Sequence, residues 1–131
     1  MERLTHLALD PTLSGRPVEL AAGRAVVELD AGPRMAADDR GLVHGGFVFS
    51  LADHAAMLAI NHPNVVLGSA SVRFLRPVVV GDRLHASARR RRQEGKKEIV
   101  EVEVKRGDEV VMSGEFTCFI PPRHVLDRRP T

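Results

Sequence analysis

The chain contains neither tryptophan nor tyrosine, and its whole aromatic content is five phenylalanines. So few flat rings leave no platform on which bases could stack, which argues against nucleic-acid recognition. The single cysteine, Cys118, excludes an intrachain disulfide framework. No stretch of about 18 consecutive apolar residues occurs, so no membrane-spanning helix is expected. The opening residues, Met1-Glu2-Arg3-Leu4-Thr5-His6, lack the charged-then-apolar layout of a secretory leader. The expectation from these absences is a cytoplasmic protein with neither membrane nor nucleic acid as partner. Charge of one sign is also lacking: 19 Lys and Arg stand against 17 Asp and Glu, for a formal net charge of +2. That balance points to no particular partner. The six histidines show no i, i+4 pair with an acidic neighbour, so no metal site is expected.

What the chain does have is enough apolar material for a core, with 44% hydrophobic residues. A length of 131 residues suits a single domain spanning 1–131. Its patterned part covers about 17–120, and a basic C-terminal tail runs over 121–131. Pro17 to Asp30 alternates loosely and breaks at Gly23, which reads as one long strand or a hairpin. Ala31 to Val43 is a polar connection. His44 to His62 is the one convincing helix, with Val48, Leu51, Ala52, Ala55, Leu58 and Ala59 at helical spacing. Phe47, Phe49, Met57 and Ile60 widen that stripe almost all round, so the helix is expected to be wrapped by other structure. Pro63 stops it.

Everything after Pro63 reads as strand: Val65 to Arg76, Leu84 to Gln93, Lys97 to Arg106 and Glu109 to Ile120. Tight turns at Gly81-Asp82, Glu94-Gly95-Lys96 and Gly107-Asp108 join them. In the third of these, Val100, Val102 and Val104 are expected on one face and Glu98, Glu101 and Glu103 on the other. A strand segment, one apolar helix and four further strands predict an α+β architecture in which an antiparallel sheet curls around one long central helix. Such a sheet leaves open edges, which favours pairing between copies.

The stretch from Gly41 to Asp53, Gly-Leu-Val-His-Gly-Gly-Phe-Val-Phe-Ser-Leu-Ala-Asp, resembles the hotdog-fold acyl-CoA thioesterases similar to phenylacetyl-CoA thioesterase. Those proteins carry a Gly-x-x-His-Gly-Gly opening and a Leu-x-Asp seven residues after its last glycine. Arg73-Phe74-Leu75-Arg76-Pro77 followed by Gly81-Asp82 resembles the same family. The resemblance covers about residues 17 to 120 and implies the hotdog fold, a curved antiparallel sheet wrapped around a central helix. It also implies a homodimer, or a homotetramer, with active sites between subunits. Asp53 then matches the catalytic carboxylate, the Gly45 N–H matches the thioester-oxygen donor, and His44 and Gly46 help to form the pocket. No separate cofactor is implied, since coenzyme A arrives as part of the substrate. Many relatives have Asn where this chain has Asp38. Many also supply a hydroxyl from the strand before Arg-Pro, for which Ser69 and Ser71 are candidates, with Arg73 beside them.

The residues support this carry-over on their own terms. A helix N-terminus offers free N–H groups and a positive dipole end suited to an oxyanion. Glycines there allow close approach of a substrate. Thioester hydrolysis needs a base or nucleophile, and Asp53 sits among Leu51, Ala52, Ala55 and Ala56 rather than on a polar face. His54 points about 100° away on a helix and reads as structural. Cys118 reads as a small core residue. The run Arg89-Arg90-Arg91-Arg92 with Lys96-Lys97 reads either as a solvated strand face paired with nearby glutamates or as a contact for coenzyme A phosphates, with Arg90 and Arg92 as one row. The expected function is hydrolysis of a small-to-medium acyl- or aryl-CoA thioester. The alternative is a non-hydrolytic acyl-CoA binding or sensing domain on the same fold. A hydratase would want an Asp-x-Asn-Pro-x-x-His stretch, which is missing.

Overall fold

Alternating apolar residues and tight turns build one six-stranded sheet, and an alanine-rich helix fills its hollow. The structure is a computed structural model that describes residues 1–127. A short helix α1 (Pro11–Ser14) precedes the hairpin β1 (Arg16–Ala21) and β2 (Arg24–Asp30). A 3-10 turn at Pro33–Met35 leads to the long helix α2 (Gly45–Ile60), followed by β3 (Val66–Phe74), β4 (Arg83–Glu94), β5 (Lys97–Arg106) and β6 (Glu109–Phe119). Strand order is β1-β2-β4-β5-β6-β3, with every pairing antiparallel. This is the hotdog fold the motif resemblance implied. The loosely alternating first segment resolves into the hairpin, turning at Ala22-Gly23, where Gly23 takes φ +74. The four later strands lie within two residues of their expected limits.

Helix α2 is buried on most of its surface: Val48, Leu51, Ala52, His54, Ala55, Ala56, Met57, Leu58 and Ala59 are all inaccessible. Its methyl-sized side chains let β2, β4 and β5 come close, and these strands carry Val27, Leu29, Leu84, Ala86, Val100, Val102 and Val104 against it. The helix ends at Asn61 in the left-handed region, with φ 52. That side chain then holds the start of the chain, accepting from the Leu4 N–H and donating to the Glu2 carbonyl, each at 2.8 Å.

Two expectations need correction. The packed unit begins well before residue 17, because Thr5 and Ser14 are buried and Arg3 reaches His54 at 3.2 Å. These residues carry no apolar periodicity, so nothing in their pattern announces the contact. Glu98 lies on the valine face of β5, buried and forked by Arg90 at 2.7 and 3.2 Å, and not with Glu101 and Glu103. The strand period of two places 98 with 100, 102 and 104. Of the expected tail 121–131, residues 128–131 lie outside those described.

Strand β3 forms one edge of the sheet and β1 the other. The β1 edge is blunted by Pro17 and by an irregularity between Pro17 and Glu19. Strand β3 carries no proline over nine residues and is mostly exposed. It crosses β6 tightly at Gly114, where an added Cβ would sit 2.7 Å from the Ser71 carbonyl oxygen and 3.1 Å from the Val72 Cα. Backbone cannot yield as a side chain can, so Gly114→Ala should push β3 away from β6. The expected cost is about 1–3 kcal/mol, measured by denaturant unfolding, with hydrogen exchange accelerated chiefly at β3. An unchanged midpoint would show that the two strands separate freely.

Candidate active site

The loop before α2 is set by short hydrogen bonds to its neighbours. Asp38 accepts through one carboxylate oxygen from the N–H groups of Arg40 and Leu42, at 3.0 and 3.1 Å. The Val43 N–H donates to the Val78 carbonyl at 2.8 Å, and the Val80 N–H donates to the Gly41 carbonyl at 2.9 Å. The His44 N–H donates to the Met35 carbonyl at 2.9 Å. Asp38 is thus an exposed loop-forming side chain, pinning the bend that delivers His44 to the helix start.

At that start the amides of Gly45 and Gly46 have no acceptor among the described residues. His44 occupies the N-cap position without a side-chain cap bond. Its imidazole lies over Gly46, where an added Cβ would come within 2.9 Å of Nε2. It also meets the Phe47 ring edge-on at 6.1 Å. Gly45 is covered from another side by Phe74, whose ring would lie 3.4–3.8 Å from a Cβ at that position. Free N–H groups at a dipole's positive end, with no side chain of their own in the way, can receive a carbonyl oxygen as it becomes an anion.

Asp53 lies two turns further along α2, on the row that contains Gly46 and Phe49. Phe49 packs on Phe116 of β6 with ring centroids 5.5 Å apart. The Asp53 charge also reaches Cys118 of β6, whose thiol is pushed up to about 12 by burial, by Asp53 and by Glu98. This row therefore faces the β6–β3 flank, which the helix covers less fully than β2, β4 and β5. Asp53 Oδ1 is buried and has no hydrogen-bond partner among the described residues. Burial pushes the Asp53 carboxyl up to about 6.

Its neighbour His54 is the opposite case. Only 1% exposed, it holds the Ser14 carbonyl through Nδ1 at 3.0 Å and Arg3 through Nε2 at 3.2 Å. Since the arginine can only donate, Nε2 accepts and the Nδ1–H donates. Burial and the adjacent Arg3 and His6 hold the ring below its usual pKa, against the opposing pull of the Ser14 carbonyl. His54 is a structural tie, as its angular position on the helix implied.

The remaining candidates fall elsewhere. Ser69, Ser71 and Arg73 pair with Thr117, Glu115 and Ser113, on the face of the sheet turned away from the helix. The helix-facing positions of β3 are Leu67, Ala70, Val72 and Phe74, paired with Cys118, Phe116, Gly114 and Met112. Neither serine shares a face with Asp53 in this chain; the irregularity at Gly68, between Leu67 and Ser69, hides the register from sequence. Arg90 is forked to Glu98 and lines a cavity with Ala59, Ile60 and Asn61, at the far end of α2 from Gly45. Arg92 pairs with Glu94 at 2.7 Å and approaches Glu115 at 3.8 Å, and Arg91 approaches Glu101 at 3.7 Å. An irregularity between Arg90 and Arg92 breaks the alternation that a basic row would need. No cluster of three or more His, Cys, Asp or Glu side chains gathers to hold a metal among the described residues.

A thioesterase superfamily model matches residues 40–113, from just before the helix cap to β6. The chain belongs to that superfamily. Among curated proteins, the methylthioribose-1-phosphate isomerase of Aquifex aeolicus is 53% identical over 121 residues, which is 92% of this chain but 26% of that protein. A transcription factor FapR of Caldanaerobacter subterraneus is 37% identical over 88 residues, 67% of this chain and 44% of that one. The chain therefore spans a quarter to less than half of these two relatives. Among solved structures, protein PH1136 of Pyrococcus horikoshii superposes with a TM-score of 0.95 at 52% identity, covering 97% of this chain and 98% of that one. The PaaI protein of the phenylacetic acid degradation operon of E. coli superposes with a TM-score of 0.76 at 28% identity, covering 83% and 80%.

Because the folded state holds the Asp53 carboxyl near 6, against 3.8 for the ordinary group, its anion burdens the fold at neutral pH. The burden shrinks as pH falls through 6 and is gone once pH is below the unfolded value. Asp53→Asn should stabilise the protein by on the order of 2 kcal/mol at pH 7.5, by less at pH 5, and not below about pH 4. Thermal unfolding across pH measures this, and a gain independent of pH would contradict a buried anion.

Proposed function

We propose that this chain is a thioesterase that hydrolyses small-to-medium acyl- or aryl-CoA thioesters at a site shared between two copies. The observation that carries the reading is Asp53: a carboxylate with a buried, unpartnered oxygen on the helix row that faces the open β3 flank. A carboxyl poised near 6 is ionised at neutral pH yet still basic enough to accept a proton. Gly45 and Asp53 are eight residues apart, about 12 Å along a helix, too far to meet at one carbonyl within a single chain. Antiparallel pairing of two β3 edges would place the Gly45 of one copy near the Asp53 of the other.

In such a site the thioester oxygen lies against the Gly45 N–H. Asp53 takes a proton from a water molecule whose oxygen attacks the carbonyl carbon, and negative charge develops on the oxygen that the amide holds. Collapse breaks the carbon–sulfur bond, and the departing thiolate takes up the proton, leaving a carboxylic acid and free coenzyme A. Direct attack by Asp53 would pass through an anhydride instead, with the same products after water adds. Membership of the thioesterase superfamily supports hydrolysis, and the likeness to part of a transcription factor supports the second reading, a domain that binds acyl-CoA without turnover. Asp38 in the place of the family's asparagine, and the absence of a hydroxyl from the helix-facing side of β3, favour that second reading.

Free-thiol release from a panel of acyl- and aryl-CoAs separates the two. For a thioesterase, Asp53→Asn should lower turnover roughly 10²-fold or more, and wild-type kcat/KM should rise as pH passes through about 6. Near-normal kcat in folded Asp53→Asn protein would remove Asp53 from the chemistry. Mixing inactive Asp53→Asn with inactive Gly45→Pro should restore about a quarter of wild-type activity, because about half the dimers are mixed and each has one intact site. No recovery after demonstrated subunit exchange would place both groups in one chain.

A further inference from the structure

The direction of the Gly45 amide is set by the loop before it, and that loop is held from outside the helix. Residues 41–43 run beside the connection between β3 and β4 as a short antiparallel pair, with Leu42 opposite Val79. Val43 and Val78, which share one of its hydrogen bonds, are both buried, and Gly45 follows two residues later. The connection itself lies beyond the ends of its two strands, with Pro77, Val79 and Gly81 exposed. Its far end is tied to the end of β2: the Gly81 N–H donates to the Ala31 carbonyl and the Ala31 N–H to the Asp82 carbonyl, each at 2.8 Å. Its near end includes Pro77, which has no N–H to donate. One side chain joins the two ends. Arg106, the last residue of β5, donates through Nη1 to the Pro77 carbonyl at 2.9 Å and to Asp82 Oδ2 at 2.8 Å. The same Oδ2 accepts from the Val79 N–H at 3.0 Å, which closes the turn from Val79 to Asp82. Nη2 donates to Glu109 and fixes the orientation of the guanidinium.

We infer that Arg106 and Asp82 are positioning residues for the oxyanion donor: their contact closes the Pro77–Asp82 connection, and the connection sets the loop that aims the Gly45 N–H. The inference rests on the thioesterase-type site read above for what the amide receives. The positioning itself stands on hydrogen bonds that need no substrate. Without the guanidinium the Pro77 carbonyl and the Asp82 carboxylate turn to water, and the connection is free to open. The Arg106 side chain is 30% exposed and that of Asp82 18%, so water can reach both groups and the fold as a whole loses little. A displaced amide, in contrast, loses much of its hold on developing charge, because such contacts depend steeply on geometry. The amide acts on the transition state more than on the bound ester, so the loss falls on kcat rather than on KM.

The test uses the full chain as wild type, Arg106→Met, Arg106→Lys, Asp82→Asn and, for comparison, Arg83→Met. The last breaks an exposed ion pair with Asp30 at 2.8 Å, one residue from Asp82, and Arg83 makes no side-chain bond to the connection among the described residues. Thiol release from butanoyl- and phenylacetyl-CoA gives kcat and KM. Proton–nitrogen correlation spectra follow the Gly45 amide, with Gly23 in the β1–β2 turn as reference. Arg106→Met and Asp82→Asn should each lower kcat about tenfold with KM within about threefold, and should shift the Gly45 amide but not that of Gly23. Arg106→Lys can still donate to both Pro77 and Asp82 and should recover most of the loss. Arg106→Met with Asp82→Asn should be no worse than the worse single variant, because both remove the same contact. Melting temperatures should fall no further than in Arg83→Met.

If wild type turns over neither ester, yet the Gly45 amide moves in Arg106→Met and Asp82→Asn and not in Arg83→Met, hydrolysis fails and the positioning stands. A Gly45 amide that stays in place, a kcat no lower than that of Arg83→Met, or losses that add in the double variant would each overturn the positioning, while wild-type turnover keeps the thioesterase reading. A large fall in melting temperature with shifts that reach Gly23 equally would also overturn it, because the pair would then be a structural tie alone.

Discussion

The structure depends on hiding one nearly all-apolar helix inside a single sheet. Helix α2 has no polar face to leave in water, so the sheet has to curl until it covers most of the helix circumference. The alanines at 52, 55, 56 and 59 allow this, because methyl groups let strands pass close to the helix axis. Curvature in turn needs places where strands can nearly touch, and Gly114 is one. It also sets what is left uncovered. A sheet of six strands wraps β2, β4 and β5 over the helix and spends its last strand, β3, as an edge.

Against that background two consecutive ionisable residues on the helix have opposite fates. His54 is buried in the back of the helix and satisfied through both ring nitrogens, one of them by an arginine from the start of the chain. Asp53, about 100° around the axis, is left with an oxygen that nothing among the described residues bonds. An apolar core does not keep a half-satisfied carboxylate for stability, since burying it without partners costs free energy. Cost without structural return is a mark of functional sites, where stability and activity compete.

The thioesterase superfamily membership is consistent with this while leaving chemistry to the residues. This chain matches only 26% of the named isomerase and 44% of the transcription factor, so those names describe longer proteins. A fold of this kind can carry different tasks, because the sheet and helix provide a scaffold on which the side chains decide the chemistry. On that flank this chain carries Asp53, the glycine amides of the helix start and the ring of Phe74 beside them, the groups to which the proposed function assigns the chemistry.

Much of this was legible in sequence because it depends on local periodicity. Helix α2 was visible from its apolar spacing, the strands from alternation and turn residues, and the cap from His44-Gly45-Gly46 with Asp53 in register. The strand limits came out close because Gly95 and Gly107 mark turns that few other residues can form. What sequence left open is whatever depends on contacts between distant segments. Arg3 meets His54 across 51 positions, and no local pattern encodes that. An irregularity at Gly68 decides that Ala70 rather than Ser69 or Ser71 turns toward the helix, and one extra residue in a strand reverses every side chain beyond it. The arginine run could be read from sequence either as a solvated face paired with glutamates or as a phosphate contact, and which of its members meets Glu98, Glu101 or Glu115 is a matter of cross-strand register. The sequence by itself determined the elements, their order and the residue types at the helix start. Tertiary structure alone decided which of those residues share a face and which carboxylate is left without a partner, because facing and burial are set by packing between segments far apart in the chain.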